Sequence, residues 1–241
     1  MMPPNSRYEL EICVETPAAL DASVQVADRV ELCAGLDVGG LTPSLGLMQQ
    51  AKDLGVETHV LIRPRSGDFK VTKAELAVAV ADIHAVREIG LHGIVIGAEH
   101  AGGLDRAALA EMVQAAKGID VTMHRVIDVL DDPVAAMETA IELGFTRILT
   151  SGSAQSAPEG IAGLTRLHKA AAGRIDIMAG AGINSQNIGA IMDQTEITSF
   201  HASCAAKMPL DQRYVEFGFG KATRSFDKGE MARLSSRLKA S

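Results

Sequence analysis

Short β-type runs alternate with helix-patterned segments along the whole chain, and this alternation most limits the folds open to it. The runs are Glu9–Val14, Arg29–Cys33, Thr58–Arg63, Gly93–Gly97, Val121–Arg125, Arg147–Ser151, Ile175–Gly180 and Ile197–Ser203. Between them, apolar residues recur at helical spacing. Over 73–90 the stripe is Leu76, Val80, Ile83, Val86 and Ile89, and Gly90 supplies a stop. Asp132-Pro133 reads as an N-cap with Pro in the first turn, closed by Gly144, and Asp105 and Asn184 read as caps of two further helices. Eight such units with no Pro/Gly-rich linker predict one domain over 1–241, a single (β/α)8 TIM-type barrel. A doubly wound open sheet would need a dinucleotide fingerprint, and the Gly-x-Gly pairs at 180–182 and 218–220 lack the rest of that pattern. Residues 1–8 read as a flexible N-terminal arm, and 204–227 as an irregular loop before a last helix near Lys228–Lys239.

Composition narrows the partners. At 47% apolar, the 241 residues suffice for a sizeable core. A net charge of −7 and the lack of a basic patch argue against nucleic acid. Arg224, Lys228, Arg233, Arg237 and Lys239 cluster late and read as the solvated face of the terminal helix. The sequence predicts neither a membrane span nor a secretion signal. Three cysteines, 13, 33 and 204, fit a reduced cytoplasm better than a disulfide framework.

In such a barrel, chemistry belongs to the carboxyl ends of the strands, and polar residues collect there. Alternate residues such as Ile12, Leu32, Ile62 and Phe200 are apolar and face the helices. Glu11 and Glu31 can serve as acid and base, hold a divalent metal with His124 or His201, or fill the barrel as an ion-pair network with Arg29, Arg63 or Arg125. Cys13 and Cys33, on adjacent strands ~5 Å apart before barrel stagger is counted, can hold Cu(I) through soft sulfur or stand as small core residues. Arg63, Arg65 and Asp68 lie in a loop suited to carboxylate or phosphate recognition. Arg125, Ser151, Gly152, Gly180 and Gly182 complete the candidate anion set. No strand ends in Lys, which disfavours a Schiff-base aldolase, and Gly-x-Ser-x-Gly and His-Glu-x-x-His are both missing.

Glu11-Ile-Cys13, Asp28-Arg-Val-Glu-Leu-Cys33, Gly39-Gly-Leu-Thr-Pro-Ser44, Arg63-Pro-Arg-Ser-Gly-Asp-Phe69, His124-Arg125 with Asp128, Leu149-Thr-Ser-Gly152 and Met178-Ala-Gly-Ala-Gly182 together resemble the CutC family of copper homeostasis proteins. The resemblance runs in order from about residue 8 to about residue 203. It implies a TIM-type barrel, a cytoplasmic homo-oligomer, and copper handling with Cys13 and Cys33 as Cu(I) ligands; no organic cofactor is expected. The other reading is an enzyme using acid/base chemistry on a small anionic or polyhydroxylated metabolite. There Arg63, Arg65 and Arg125 hold the anion, Glu31 or Glu11 is the base, and His124 or His201 the acid. Two features depart from the family pattern. Ser66 stands where Gly is common, and Met208–Phe226 is shorter than usual.

Overall fold

The computed structural model describes residues 7–239. In chain order the strands are β1 (Glu9–Val14), β2 (Arg29–Leu32), β3 (Thr58–Leu61), β4 (Gly93–Ile96), β5 (Glu99–His100), β6 (Gly103–Leu104), β7 (Asp120–Met123), β8 (Arg147–Thr150), β9 (Asp176–Ala179), β10 (Ser199–Ala202), β11 (Ala205–Pro209) and β12 (Ala222–Phe226). The helices are α1 (Pro17–Ser23), α2 (Leu45–Leu54), α3 (Lys73–Ile89), α4 (Arg106–Ala115), α5 (Pro133–Leu143), α6 (Ile161–Ala171), α7 (Ile188–Gln194), α8 (Gln212–Glu216) and α9 (Lys228–Lys239). Eight parallel strands close in the order β1-β10-β9-β8-β7-β4-β3-β2, a single (β/α)8 barrel as the alternation predicts.

Local chemistry accounts for the element ends. Thr72 and Glu75 form a reciprocal capping box on α3, and Gly90 ends it with positive φ. Asp132 caps α5 with Pro133 in its first turn, and Ser44 and Asp105 cap α2 and α4. Asn184 caps the turn leading into α7, accepting from the N–H groups of Gln186 and Asn187.

Apart from β1, the barrel strands stop one or two residues before the predicted runs do. Cys33, Arg63, Gly97, His124, Ser151, Gly180 and Ser203 lie just past the last ladder pairs. They hang from the barrel rim, where backbone pairing has ended and the chain turns toward a helix.

Side-chain parity divides two environments. Outward residues such as Leu10, Ile12, Val30, Leu32, Ile94, Ile148, Ile177 and Phe200 join the helices in the main core. The barrel interior is polar instead. Arg29 reaches Glu11 at 2.6 Å, Glu9 at 3.5 Å and Glu57 at 3.6 Å, while Arg147 reaches Asp176 at 2.8 Å. Above this charged column, Cys13, Cys33, Leu61 and Val95 form a small separate apolar cluster.

Two boundaries differ from expectation. The expected arm 1–8 falls mostly outside the described residues, but Tyr8 is buried and packs against Phe200, ring centroids 6.1 Å apart. Residues 204–227 are not an irregular loop: β11 and β12 pair antiparallel, Lys207 opposite Arg224, with α8 between them. The partners are separated by Leu210–Lys221, too long a connection to give a hairpin signal in the sequence.

The β8–α6 junction packs backbone on backbone. A Cβ at Gly160 would strike the Ser151 carbonyl, and one at Gly163 would strike that of Gly152. Gly160→Ala is therefore expected to destabilise the fold by about 3 kcal/mol. Gly46→Ala, in exposed helix with open space around it, should stabilise by up to about 1 kcal/mol. Urea denaturation of the two variants checks this; equal midpoints would contradict the packing account.

Candidate functional site

A cavity of about 320 Å³ opens at the carboxyl end of the barrel strands. Its floor begins with Glu11. Register places Glu11 level with Arg29 on β2 and with His201 on β10. The Glu11 carboxylate accepts from Arg29 Nε at 2.6 Å and contacts His201 Nδ1 at 2.7 Å. Burial works to raise the Glu11 pKa, yet the His201 hydrogen bond and the Arg29 charge hold it well below the usual carboxylate range. At 1% exposure, with both oxygens engaged, Glu11 lies beneath the cavity as a positioning group, not as an open base.

One step higher the same stagger brings Cys13 level with Glu31, not with Cys33. The two Glu-x-Cys strand ends are thus offset by two residues along the strands. Cys13, Glu31 and His201 converge: a sulfur, a carboxylate oxygen and a ring nitrogen all lie within 4.8 Å of one another. His201 Nε2 stands 3.7 Å from Glu31. Burial raises Glu31 to about 7, with Glu11 adding to the rise and His201 opposing it. Burial would lower His201, but Cys13, Glu11 and Glu31 around it push it well above its ordinary 6.5. Cys33 lies outside this trio, its thiol 3.9 Å from the Glu31 carbonyl, and burial with the nearby Glu31 pushes it well above 9.0.

The walls carry the cations. Arg63 Nη1 donates to the Val38 and Gly40 carbonyls at 3.0 and 2.8 Å, and Nη2 donates to Gly67 at 2.7 Å. Its guanidinium lies 5.2 Å from the Phe69 ring centroid. Gly40 is required here: its φ is +86°, and a Cβ would run into Leu61. Arg125 pairs with Asp128 at 2.8 Å and donates to Ser151 Oγ at 2.8 Å. Asp128 also accepts from Thr150 Oγ1 at 2.6 Å and Ser153 N at 3.0 Å, so it ties this loop to the end of β8.

His124 sits beside them, its ring centroid 4.6 Å from that of Phe69. Its Nδ1 accepts from Val126 N at 3.1 Å, which leaves the ring proton on Nε2. Burial, with Arg63 adding, depresses its pKa to about 3. The ring is therefore neutral near pH 7, a hydrogen-bond donor and not the imidazolium acid expected from sequence.

Of the expected anion set, Arg63, Arg125 and Gly182 line the cavity. Arg65 does not: it is half-exposed and pairs with Asp68 at 2.7 Å and Glu75 at 2.5 Å, bracing its own loop. Ser151 is spent on Arg125 and Asp128, Gly152 packs on α6, and Gly180 fits between Leu149 and His201. Sequence reasoning missed Arg224. It is no part of a solvated helix face: it lies on β12, donates to the Leu36 carbonyl at 3.1 Å, and lines the cavity. Ala222, Arg224 and Phe226 share the half-buried face of β12 in the structure, but with Arg at the middle position no apolar alternation marked that face in the sequence. Phe69 was likewise missed as a wall residue.

The fold and site define a (β/α)8-barrel protein whose polar cavity opens at the strand carboxyl ends. The sequence profile of the CutC family matches residues 8–206, and the chain belongs to that family. It is 47% identical to a CutC-family protein of Agrobacterium fabrum over 237 residues, 96% of this chain and 94% of that one. A Rhizobium meliloti relative is 46% identical over 239 residues, 98% of each chain. The crystal structure of CutC from Streptococcus agalactiae, for which a copper homeostasis role is proposed, superposes with a TM-score of 0.77. It is 31% identical and covers 80% of this chain and 97% of that one. Among the described residues, no helix is long and apolar enough to cross a membrane.

These protonation states set an acid response. His59, buried at the base of the barrel, is depressed by burial to about 3, as His124 is. Both rings bind protons more readily unfolded, so each contributes stability that is lost as pH falls from 6.5 toward 3. Glu31 acts oppositely: raised to about 7, it contributes stability below 4.5 that is lost as pH rises to 7. His201 contributes below 6.5 and loses its contribution only above that. Two histidines against one glutamate predict a lower urea midpoint at pH 5 than at pH 6.5, with a flatter dependence in His59→Gln. A midpoint that is unchanged or higher at pH 5 would refute the assignment.

Proposed function

We propose that the protein handles copper, holding Cu(I) at the floor of the cavity. The observation that carries this is the convergence of Cys13, Glu31 and His201 donor atoms within 4.8 Å of one another. Thiolate sulfur and imidazole nitrogen are the donors of this trio that suit Cu(I), and a carboxylate is the harder, weaker partner. Cys13 is therefore the anchoring ligand and His201 the second. Glu11 holds Nδ1 of that ring at 2.7 Å and so orients Nε2 toward the ion. Cys33, in the same small cluster as Cys13, supplies a further sulfur. The copper homeostasis role proposed for the Streptococcus agalactiae relative points the same way. Three unpaired thiols support a cytoplasmic location. Exposed Phe217 and Phe219, at 77% and 74%, support a homo-oligomer that covers them.

A second reading, general-base catalysis on a small metabolite, is supported by Glu31, raised by burial to about 7 beside the cavity.

Anaerobic Cu(I) titration against a competing chelator tests the first reading. Cys13→Ser should weaken binding on the order of 100-fold, His201→Asn about tenfold or more, and Cys33→Ser less than Cys13→Ser. Unchanged affinity in Cys13→Ser would remove the copper site.

A further inference from the structure

The ion pairs around the cavity do not balance. The charged groups facing it are Arg63, Arg125, Arg224, His201 and Glu31. Arg125 is matched by Asp128, and His201 by Glu11. Among the described residues, neither Arg63 nor Arg224 has a carboxylate within ion-pair distance. Arg63 is 8% exposed and held by neutral carbonyls and the face of the Phe69 ring, and Arg224 meets the Leu36 carbonyl and Ser203 Oγ. The Nε atoms of both are buried without a hydrogen-bond partner. Arg63 is buried and Arg224 half-buried, and cations withdrawn from water against dipoles alone retain much of their desolvation cost. Two uncompensated guanidinium groups lining one cavity make a site that an anion completes.

We propose that the cavity binds a small dianionic metabolite between Arg63 and Arg224, with the outer edge of Arg125 as a third contact. The ligand class is an organic molecule bearing two negative charges, as a phosphate monoester or a dicarboxylate. Two charges match the two unmatched guanidinium groups. A volume of about 320 Å³ limits the ligand to a small molecule. Leu36, Leu61 and Leu149 on the same walls give its carbon skeleton an apolar surface. Arg63 comes from the rim after β3 and Arg224 from the β11–β12 hairpin, so the ligand bridges the barrel to an element outside it. This site is independent of the copper reading, and it supplies the ligand class that the catalytic reading lacks.

Isothermal titration calorimetry of the metal-free full chain at low salt tests it, with inorganic phosphate and malonate as probes and glycerol as the neutral control. At least one anion should bind, and glycerol should not. Arg224→Gln should weaken that binding about tenfold or more, the scale of one lost charge-assisted hydrogen bond. Arg63→Gln should do the same. If it fails to fold, because Arg63 also ties three loop carbonyls, Arg224→Gln decides alone. Binding of phosphate only would assign a phosphate ester, and of malonate only a dicarboxylate. Cys13→Ser should retain anion binding while losing Cu(I), which separates the two sites. Neither anion binding, or equal affinity in Arg224→Gln, would overturn the proposal.

Discussion

The buried contact of Glu11 with Arg29 and His201 is the constraint on which the rest of the site depends. It joins β1, β2 and β10 where the first and last barrel strands meet. Loss of one partner would strand a charge in the barrel interior, a cost of about 3–5 kcal/mol. Because both Glu11 oxygens are engaged, the register of three strands is tied to one carboxylate. That register decides what stands above it: Cys13 beside Glu31, with the His201 ring between the two glutamates. The floor of the cavity thus follows from an ion-pair network of which only His201 reaches the cavity, with Glu11 and Arg29 beneath it.

Above this floor the barrel mouth carries more positive charge than its own carboxylates match. Asp128 absorbs Arg125, and Arg65 is drawn away by Asp68 and Glu75. Arg63 and Arg224 remain. The cavity therefore has a soft-donor floor under cationic walls, two environments of opposite preference within one small volume. A cation below and an anion above would each offset the field that opposes the other.

Much of the architecture was legible because it rests on local rules. The caps at Asp105, Asp132 and Asn184 and the stop at Gly90 depend on residues a few positions apart. Inward and outward parity depends only on strand period. The hairpin of 205–226 was not legible, because Lys207 and Arg224 meet across a long connection. For the same reason a run of late basic residues read as one helix face, although Arg224 belongs to a strand. The site was legible in composition but not in roles. Glu11 and Glu31, and His124 and His201, are alike in sequence. Burial and neighbours divide them into a paired carboxylate, a carboxyl near 7, a neutral donor ring and a charged ring.

By itself the sequence determined an eight-fold β/α alternation, the faces of its strands, the rim that gathers polar residues, and a resemblance to one family. Only the tertiary structure decided which of those residues meet. Strand period fixes the direction of a side chain, whereas barrel stagger fixes its height, and height is a property of closure. That offset of two residues separated the twin Glu-x-Cys ends, paired Cys13 with Glu31 and His201, and left Cys33 one step above.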